Sequence, residues 1–296
     1  MGVRFGVSCR SVSQPSPAQG PSDLTAQLLL DTLAMKVRHV LCRGSCRGRS
    51  AEEYSRTTHL VFPCRGTYVH HVGPVEAVAD SNRVLFFNAG ETYQVSHPVE
   101  GGDACLSISV AEELLRELVP RDQARPEGTI RFRASHRQID SRAQAQVALL
   151  RHGLTQGAAD PLEAESLTVT LIRRALGERT SHSPGGSPGA RKLVDRAKLI
   201  LAAAVTRRWS LSEIAKEVGV SPVYLTQVFT RVEGVPLYRY HLRLRLARAL
   251  DLIDQYDNLT ALSLELGFSS HSHFTAAFRH AYGRTPADFQ RSARLR

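Results

Sequence analysis

Histidine and glutamate side chains in the first half of the chain could bind a metal ion, because histidines combined with a carboxylate are a common ligand set for transition metals. The candidates are His59, His70, His71, His97 and Glu91. Ligands must converge on one point, yet the adjacent His70 and His71 are expected to point to opposite faces of a strand. We therefore predict no metal and no cofactor, and we expect these histidines at core or partly exposed positions.

The cysteines raise the alternative of a zinc site or a redox switch. Two of them form a Cys-x3-Cys pair, Cys42 and Cys46, and the others are Cys9, Cys64 and Cys105. A structural zinc site needs four ligands, usually at tighter spacing, and thiols in the cytoplasm usually remain reduced. The spacing therefore favours packing as small apolar residues for most of the cysteines.

Basic residues are concentrated in the last third of the chain. From Arg191 to the end there are 17 Lys and Arg against 9 Asp and Glu, whereas the remaining residues hold 21 against 19. A general contribution to solubility would be spread along the whole chain. A positive balance confined to one segment is typical of a surface that neutralises phosphates.

The basic segment contains one pattern twice. Residues 211–220, LSEIAKEVGV, align with residues 259–268, LTALSLELGF, so that the apolar positions and the glycine coincide. Each copy predicts a short amphipathic helix that ends in a glycine turn, followed by a second helix capped by Ser221 or Ser270. A helix, a tight glycine turn and a second helix are the outline of a helix-turn-helix unit.

A single predicted helix joins the two copies, from Pro236 to about Asp254. At 1.5 Å per residue, roughly 19 residues make a rod of about 28 Å. Such a rod could hold two recognition helices about one duplex turn apart, on the order of 34 Å, so that both enter successive major grooves on one face of DNA.

Three features of the C-terminal segment, taken together, are specific enough to indicate a protein family. The first copy reads LSEIAKEVGVSPVYLTQVFTRVEGVPLYRY and the second reads GFSSHSHFTAAFRHAYGRTPADF. The connecting helix carries Arg245, Leu246, Ala249 and Leu252. With these features, the segment from about Lys192 to Phe289 resembles the DNA-binding domain of AraC/XylS-type bacterial transcription regulators. The resemblance covers about a third of the chain at this strength.

The resemblance implies which side chains face base edges, namely those on the first exposed turns of each second helix. They are Val223, Thr226 and Gln227 in the first copy and His271, Ser272 and Thr275 in the second. An amide such as that of Gln227 can make a bidentate contact to adenine, and the methyl groups of Val223 and Thr226 can lie on a thymine methyl.

Phosphate contacts are the second role that the resemblance implies. Ala276 stands where the family often has a long polar or basic side chain, so the resemblance predicts weaker base readout by the second copy and a larger part in positioning. The arginines available for phosphates are Arg231, Arg239, Arg279 and Arg284. For each of them, a solvated surface charge is the alternative.

Short apolar bursts separated by turn residues dominate the segment from about Lys36 to Ser109, which predicts an antiparallel barrel or sandwich. The segment is similar to the cupin-type sensor half of the same regulators, above all in VLFFNAGETYQVSHPVEGGD, residues 84–103. Amphipathic helices are predicted at about 110–118, 141–154 and 161–177, and the resemblance associates them with dimer formation.

These features predict an α+β chain with two domains. Residues 1–35 are predicted as a mobile tail, and 36–178 as a cupin-like antiparallel β-barrel with flanking helices that senses a ligand and dimerises. Residues 179–190 read as a flexible linker that couples the halves loosely. Residues 191–296 form the predicted all-α domain, with two helix-turn-helix units joined by a long helix.

We interpret the chain as a sequence-specific DNA-binding transcription regulator that responds to a small-molecule effector and is not an enzyme. The expected partners are promoter DNA, an unknown effector, RNA polymerase and a second copy of the chain. Whether it activates or represses stays open. No apolar run approaches the ~20 residues of a membrane span, and we expect a cytoplasmic protein. The alternatives are a cupin-type metalloenzyme with an accessory nucleic-acid-binding module and a regulator whose barrel has no ligand.

Overall fold

The computed structural model describes residues 24–44, 46–125, 128–177 and 185–294. Strands occupy most of the first part of the chain and helices the rest, so the predicted α+β class is confirmed. Short strands occupy the segment from about 36 to 109, as the apolar bursts predict. The described strands are β1 Leu24–Asp31, β2 Met35–Cys42, β3 Glu53–Tyr54, β4 His59–Gly66, β5 Tyr68–Val72, β6 Val75–Ala79, β7 Arg83–Phe87, β8 Thr92–Ser96, β9 Asp103–Val110 and β10 His136–Gln138.

The strands form two antiparallel sheets that curl into a half-barrel. One sheet has the order β1-β2-β9-β4-β7-β10, and the other has the order β3-β8-β5-β6. Central strands are apolar because both of their faces are covered, and all five residues of β7 are buried. The larger core cluster of this half includes Phe62, Phe86, Leu106 and Ile108.

The predicted mobile tail is wrong for its last part, because Leu24–Asp31 forms strand β1. Residues 24–28 are exposed, and among the residues of the strand only Leu30 is buried. It is held by backbone pairing with β2 from Leu24 opposite Cys42 to Asp31 opposite Lys36. The remainder of that prediction, residues 1–23, lies outside the described residues.

Helices follow the last long strand of the half-barrel. The three predicted by amphipathic spacing are confirmed within about two residues at each end. The described helices are α1 Glu112–Leu118, α2 Ser141–Thr155, α3 Pro161–Leu176, α4 Pro188–Ala203, α5 Leu211–Val218, α6 Pro222–Glu233, α7 Leu237–Leu252, α8 Leu259–Glu265, α9 His271–Tyr282 and α10 Pro286–Arg294.

The C-terminal helices surround two separate apolar cores. We define the first unit as α4, α5, α6 and the beginning of α7, whose core includes Leu225 and Phe229. The second unit is the end of α7 with α8, α9 and α10, and its core includes Phe274 and Phe278. Helix α7 belongs to both cores. At 16 residues it is about 24 Å long, slightly shorter than the predicted rod.

The two halves of the chain pack against each other, which corrects the expectation of loose coupling. Helix α2 follows the half-barrel in sequence, yet it contacts α7, α9 and α10. Helix α4 begins at Pro188, inside the predicted linker, and residues 178–184 lie outside the described residues. A linker composition predicts only that few local contacts form, and it does not determine whether the connected domains dock.

Candidate nucleic-acid interface

The first unit places its second helix by local capping. Ser210 and Glu213 form a capping box at the start of α5, and Gly219 ends that helix with φ 77°. Two residues later, the Ser221 hydroxyl accepts a hydrogen bond from the Tyr224 backbone N–H at 3.2 Å. Short-range chemistry therefore determines the turn and the beginning of α6.

Helix α6 turns one face to the core and the other to solvent. Leu225, Val228 and Phe229 are buried, and the three predicted base-reading residues of this unit, Val223, Thr226 and Gln227, are all exposed. Val223 keeps 67% of its surface accessible. The Thr226 hydroxyl donates to the Pro222 carbonyl at 3.0 Å, so its donor is used within the helix.

The second unit repeats this arrangement. Ser270 caps α9 by accepting a hydrogen bond from the His273 backbone N–H at 3.1 Å. His271 and Ser272 are exposed, whereas Thr275 is only half-exposed, and its hydroxyl lies 3.5 Å from His271 Nε2. The second unit therefore presents a smaller set of freely accessible groups than the first.

The two units are fastened together by an arginine on α7. Arg245 Nε donates to the Val205 carbonyl at 3.0 Å, and its Nη1 lies 3.5 Å from the Gly267 carbonyl. Gly267 sits at φ 77°, and a Cβ there would meet the Thr206 carbonyl oxygen at 2.0 Å. Only glycine therefore allows the turn of the second unit to contact the loop after α4 this closely.

The four arginines predicted to contact phosphates, Arg231, Arg239, Arg279 and Arg284, are all exposed. Arg239 Nε donates to the Tyr238 hydroxyl at 3.1 Å, and Arg284 Nη1 donates to the Ser292 hydroxyl at 3.3 Å. These neutral contacts leave the positive charge available to an anion. A DNA contact for each predicted residue stays a prediction.

Comparison with known proteins identifies the helical half. Residues 214–292 match the family model described as a helix-turn-helix domain. The match covers most of the segment from α5 to α10. This C-terminal region is an AraC-type helix-turn-helix domain.

The relatives of this chain are HTH-type transcriptional regulators. The regulator YidL of Escherichia coli (strain K12) is 29% identical over 107 residues, covering 36% of this chain and 36% of YidL. The probable transcriptional regulator LumQ of Photobacterium leiognathi is 27% identical over 168 residues, covering 54% of this chain and 64% of LumQ. The chain thus spans between about a third and two thirds of the length of these relatives.

Two solved structures are similar in part. A transcriptional regulator with an AraC-type DNA-binding domain from Chromobacterium violaceum is 29% identical over 36% of this chain and 97% of that chain, with a TM-score of 0.34. ToxT from Vibrio cholerae is 10% identical over 92% of this chain and 98% of that chain, also with a TM-score of 0.34. The fold of the half-barrel and of the two helical units therefore rests on the strands and helices of this chain.

A buried ionic cluster joins the half-barrel to the first unit of the AraC-type domain. Arg83 on β7 donates from Nη2 to Glu233 Oε1 on α6 at 2.6 Å, and Lys198 Nζ on α4 lies 3.3 Å from the same oxygen. Gln138 on β10 donates to Glu233 Oε2 at 2.8 Å. The Glu233 and Lys198 side chains are 1% and 0% accessible.

The Glu233 carboxylate of the ionic cluster stays ionised at neutral pH. Burial by itself raises the pKa of Glu233, but the positive charges of Arg83 and Lys198 outweigh burial and hold that pKa below its usual value. Next to the cluster, the Tyr240 hydroxyl on α7 donates to Asp80. Burial, reinforced by the charge of Asp80, raises the pKa of Tyr240 well above its usual value, so the donor proton is retained.

Sequence reasoning missed this cluster. Asp80 and Arg83 flank the turn between β6 and β7, and nothing in the sequence around them indicates partners 150 or more residues away. The one available signal is a carboxylate, Glu233, placed directly before the glycine that ends α6. Such a position is usually solvated, so the sequence does not predict burial.

Helix α2 meets the second unit through apolar packing and through ion pairs. Ala148 of α2 is buried in the same core as Phe278 and Tyr282. Beside this packing, Arg151 Nη1 pairs with Asp251 Oδ1 at 3.1 Å, and His152 Nδ1 lies 3.2 Å from Asp254 Oδ2.

The candidate histidines of the half-barrel separate into different surroundings. His59 and His70 both contact the ring of Phe87, whereas His71 Nε2 lies 2.9 Å from the Ser96 hydroxyl. Burial, with smaller effects from His71 and His59, lowers the pKa of His70 to about 4. Neither ring nitrogen of His70 has a hydrogen-bond partner among the described residues.

Glu91 and His97, the other two candidate metal ligands from the sequence, also lie in different surroundings. Glu91 accepts a hydrogen bond from Asn88 Nδ2 at 2.9 Å, in a turn at the surface. His97 lies beside Cys46 and Asp103, a grouping that the spacing of the histidines does not predict.

Among the described helices, none is long and apolar enough to cross a lipid bilayer.

Proposed function

We propose that this protein is a sequence-specific DNA-binding transcription regulator that responds to a small-molecule effector. The observation that carries the proposal is the pair of tandem units, whose second helices, α6 and α9, expose their first turns to solvent. Arg245 and Gly267 hold the units in one fixed relation. Two exposed helices on a rigid frame match two successive major grooves.

The exposed side chains of the two units support separate roles in base contacts and phosphate contacts. Gln227 offers an amide donor and acceptor for adenine, and Val223 offers an apolar contact for a thymine methyl. The exposed arginines supply the sequence-independent attraction to phosphates. Because Thr275 is half-exposed and Ala276 is short, the first unit carries most of the base readout.

Binding of the full chain to DNA tests the proposal. A duplex selected in vitro from a random pool and a scrambled duplex are compared by fluorescence anisotropy over a range of salt concentrations. We expect the selected duplex to bind more tightly, with affinity falling as salt rises because counterions are released. Equal affinity for both duplexes at every salt concentration would reject sequence-specific regulation.

Two substitutions separate base contacts from phosphate contacts. Gln227→Ala should cost about 1–3 kcal/mol on the selected duplex and alter preference at one base position, with little effect on the scrambled one. Arg279→Ala should weaken both duplexes alike and reduce the salt dependence. If Gln227→Ala weakened both duplexes equally, α6 would not read bases.

The effector part of the proposal rests on the interior of the half-barrel. His70 is buried among Phe87, Tyr93 and His59, and its two nitrogens are unpaired within the described residues. An effector with one polar group and an aromatic or apolar body would satisfy this histidine. A thermal-shift screen should find compounds that raise the unfolding temperature of the full chain but not of His70→Phe.

A second copy of the chain and RNA polymerase are the protein partners in this proposal. Within the described residues, strand β1 lies at the edge of the six-stranded sheet, and Leu28 on it is 48% accessible. An accessible leucine on an edge strand is suited to packing against another chain. Sedimentation of the full chain should show a dimer that Leu28→Lys weakens, and an unchanged monomer would reject this partner.

A further inference from the structure

Two arginines without an acidic partner meet where the two helix-turn-helix units touch. Arg208 lies on the loop after α4, and Arg245 lies on α7. Arg208 Nε donates to the Gly267 carbonyl at 3.2 Å, and Arg245 Nη1 lies 3.5 Å from the same oxygen. Among the described residues, neither side chain forms an ion pair with a carboxylate. Two positive charges therefore converge on one backbone carbonyl.

The proximity of these two charges is unfavourable in the free protein. Burial, and after it the charge of Arg208, lowers the pKa of Arg245. A like charge nearby disfavours the charged form of a group, whereas an opposite charge favours it. An anion bound at this junction would therefore remove the repulsion between the two guanidinium groups. Charge-assisted hydrogen bonds from a guanidinium suit the oxygens of a phosphate.

The neighbouring Arg207 differs from Arg208 in its partners. Arg207 Nη2 pairs with Glu213 Oε1 at 2.6 Å, and its guanidinium carbon lies 3.9 Å from the centre of the Trp209 ring. The charge of Arg207 is thus neutralised within the first unit. Both arginines are exposed, so accessibility does not distinguish them.

The loop that carries Arg208 is held in place before any ligand binds. Trp209 Nε1 donates to the Ala204 carbonyl at 3.2 Å, and Arg245 Nε donates to the Val205 carbonyl at 3.0 Å. The bond from Arg208 Nε to Gly267 orients the guanidinium and leaves its Nη groups as donors for a ligand.

The arginine pair lies next to the helix that the second unit presents to solvent. Gly267 stands three residues before Ser270, the N-cap of α9, and three residues span at most about 10 Å. The exposed His271 and Ser272 follow directly. In helix-turn-helix proteins the N-terminal residues of the second helix contact base edges. A group beside Gly267 is therefore close to the phosphates that border the groove entered by α9.

We propose that Arg208 binds a DNA phosphate at the edge of the major groove entered by α9, with Arg245 as a positioning residue that holds the loop and adds positive charge. The inference rests on the proposed function, because it assumes that α9 enters a major groove. A loop of the first unit thereby contributes to the half-site of the second unit. This contact adds to the smaller set of freely accessible groups on α9.

The salt dependence of DNA binding tests the site in the full chain. The association constant is measured against salt concentration for the parent, Arg208→Gln and Arg207→Gln, each on the selected and the scrambled duplex. Arg208→Gln should weaken binding to both duplexes and reduce the slope of log K against log salt by about 0.9, the value for one phosphate. Arg207→Gln is the same change at the next position, and it should keep the slope because Arg207 is already paired with Glu213.

Ethylation interference locates the contact on the duplex. Ethylation removes the charge of a phosphate and weakens binding wherever the protein contacts that phosphate. The half-site of the first unit is the one whose base preference changes in Gln227→Ala. In the other half-site we expect a phosphate whose ethylation weakens the parent but not Arg208→Gln. Arg208→Lys should restore most of the slope, because lysine keeps the charge.

Several outcomes would reject the site. One is a parent that prefers the selected duplex while Arg208→Gln keeps the parental slope. Another is an equal fall in slope for Arg207→Gln, since the effect would then follow net charge. A third is weaker binding by Arg208→Gln with an unchanged slope and a lower unfolding temperature, which would identify a purely structural contact. Equal binding of both duplexes by the parent rejects the sequence-specific function instead, and a parent that binds no duplex rejects both.

Discussion

The two helix-turn-helix units have the same local architecture but different contacts with the rest of the chain. The first unit meets the half-barrel through buried charges, Arg83, Lys198 and Glu233. The second unit meets α2 through apolar packing around Ala148 and Tyr282, flanked by the ion pair of Arg151 with Asp251. Repeated sequence therefore specifies the unit but not how the unit docks.

The difference matters because the first contact converges on one buried carboxylate, whereas the second is spread over apolar packing and separate ion pairs. A buried ionic cluster depends on geometry, since each charge has lost its hydration and needs its partner. A shift of the turn between β6 and β7 would act on the first unit through Asp80 and Arg83, and on α2 through Gln144, which donates to the Ser81 carbonyl.

Removing the carboxylate of the ionic cluster should have the largest effect. Glu233→Gln leaves Arg83 buried without its carboxylate partner and leaves Lys198 with Asp195 alone, which should cost about 3–5 kcal/mol of unfolding free energy. Chemical denaturation measures this loss, and hydrogen exchange should show faster exchange in α6 than in α9. Glu217→Gln, an exposed carboxylate on α5, should stay within about 0.5 kcal/mol of the parent. Equal loosening of α6 and α9 would contradict the distinction between the two contacts.

Substitution of two equivalent turn glycines should give the second-largest loss of stability. Gly219 and Gly267 occupy equivalent positions of the repeat, and both have φ 77°. Gly219→Ala should cost about 1 kcal/mol for the left-handed backbone alone, because its Cβ would meet nothing within 4 Å. Gly267→Ala adds a clash with the Thr206 carbonyl and should cost about 2–3 kcal/mol by thermal or chemical denaturation. Equal losses would show that the units do not touch at this turn in solution.

Acid should destabilise the half-barrel before it breaks the ionic cluster. His70 has a folded pKa of about 4, against 6.5 when unperturbed. As pH falls below 6.5 the unfolded chain takes up a proton that the folded chain binds only near pH 4, so stability falls through that window. The loss at pH 5 should be about 1–2 kcal/mol.

Substitution of His70 separates the acid response of the half-barrel from that of the ionic cluster. His70→Phe should reduce the drop in unfolding free energy between pH 7 and pH 5 by that amount. Glu233 has a lowered pKa and stays ionised at pH 5, so its contribution is lost only at more acidic pH. Undiminished pH dependence in His70→Phe would show that this histidine is not buried in solution.

Much of the helical half was predictable because its signals are local. The caps at Ser221 and Ser270 bond to a backbone N–H three residues away, and the glycine turns follow from a single backbone angle. The exposure of Val223 and Gln227 follows from helical periodicity. The half-barrel strands were predictable for the same reason, except for the edge strand β1, whose first five residues are exposed.

The sequence by itself determined the two repeated units, their exposed turns and the segregation of positive charge, since each depends on residue type and on neighbours a few positions away. Only the tertiary structure decided that Glu233 is buried against Arg83 and that Cys42 faces Asp103. Both pairs depend on docking and strand register, and a shift of one residue would turn every side chain of a strand to its other face.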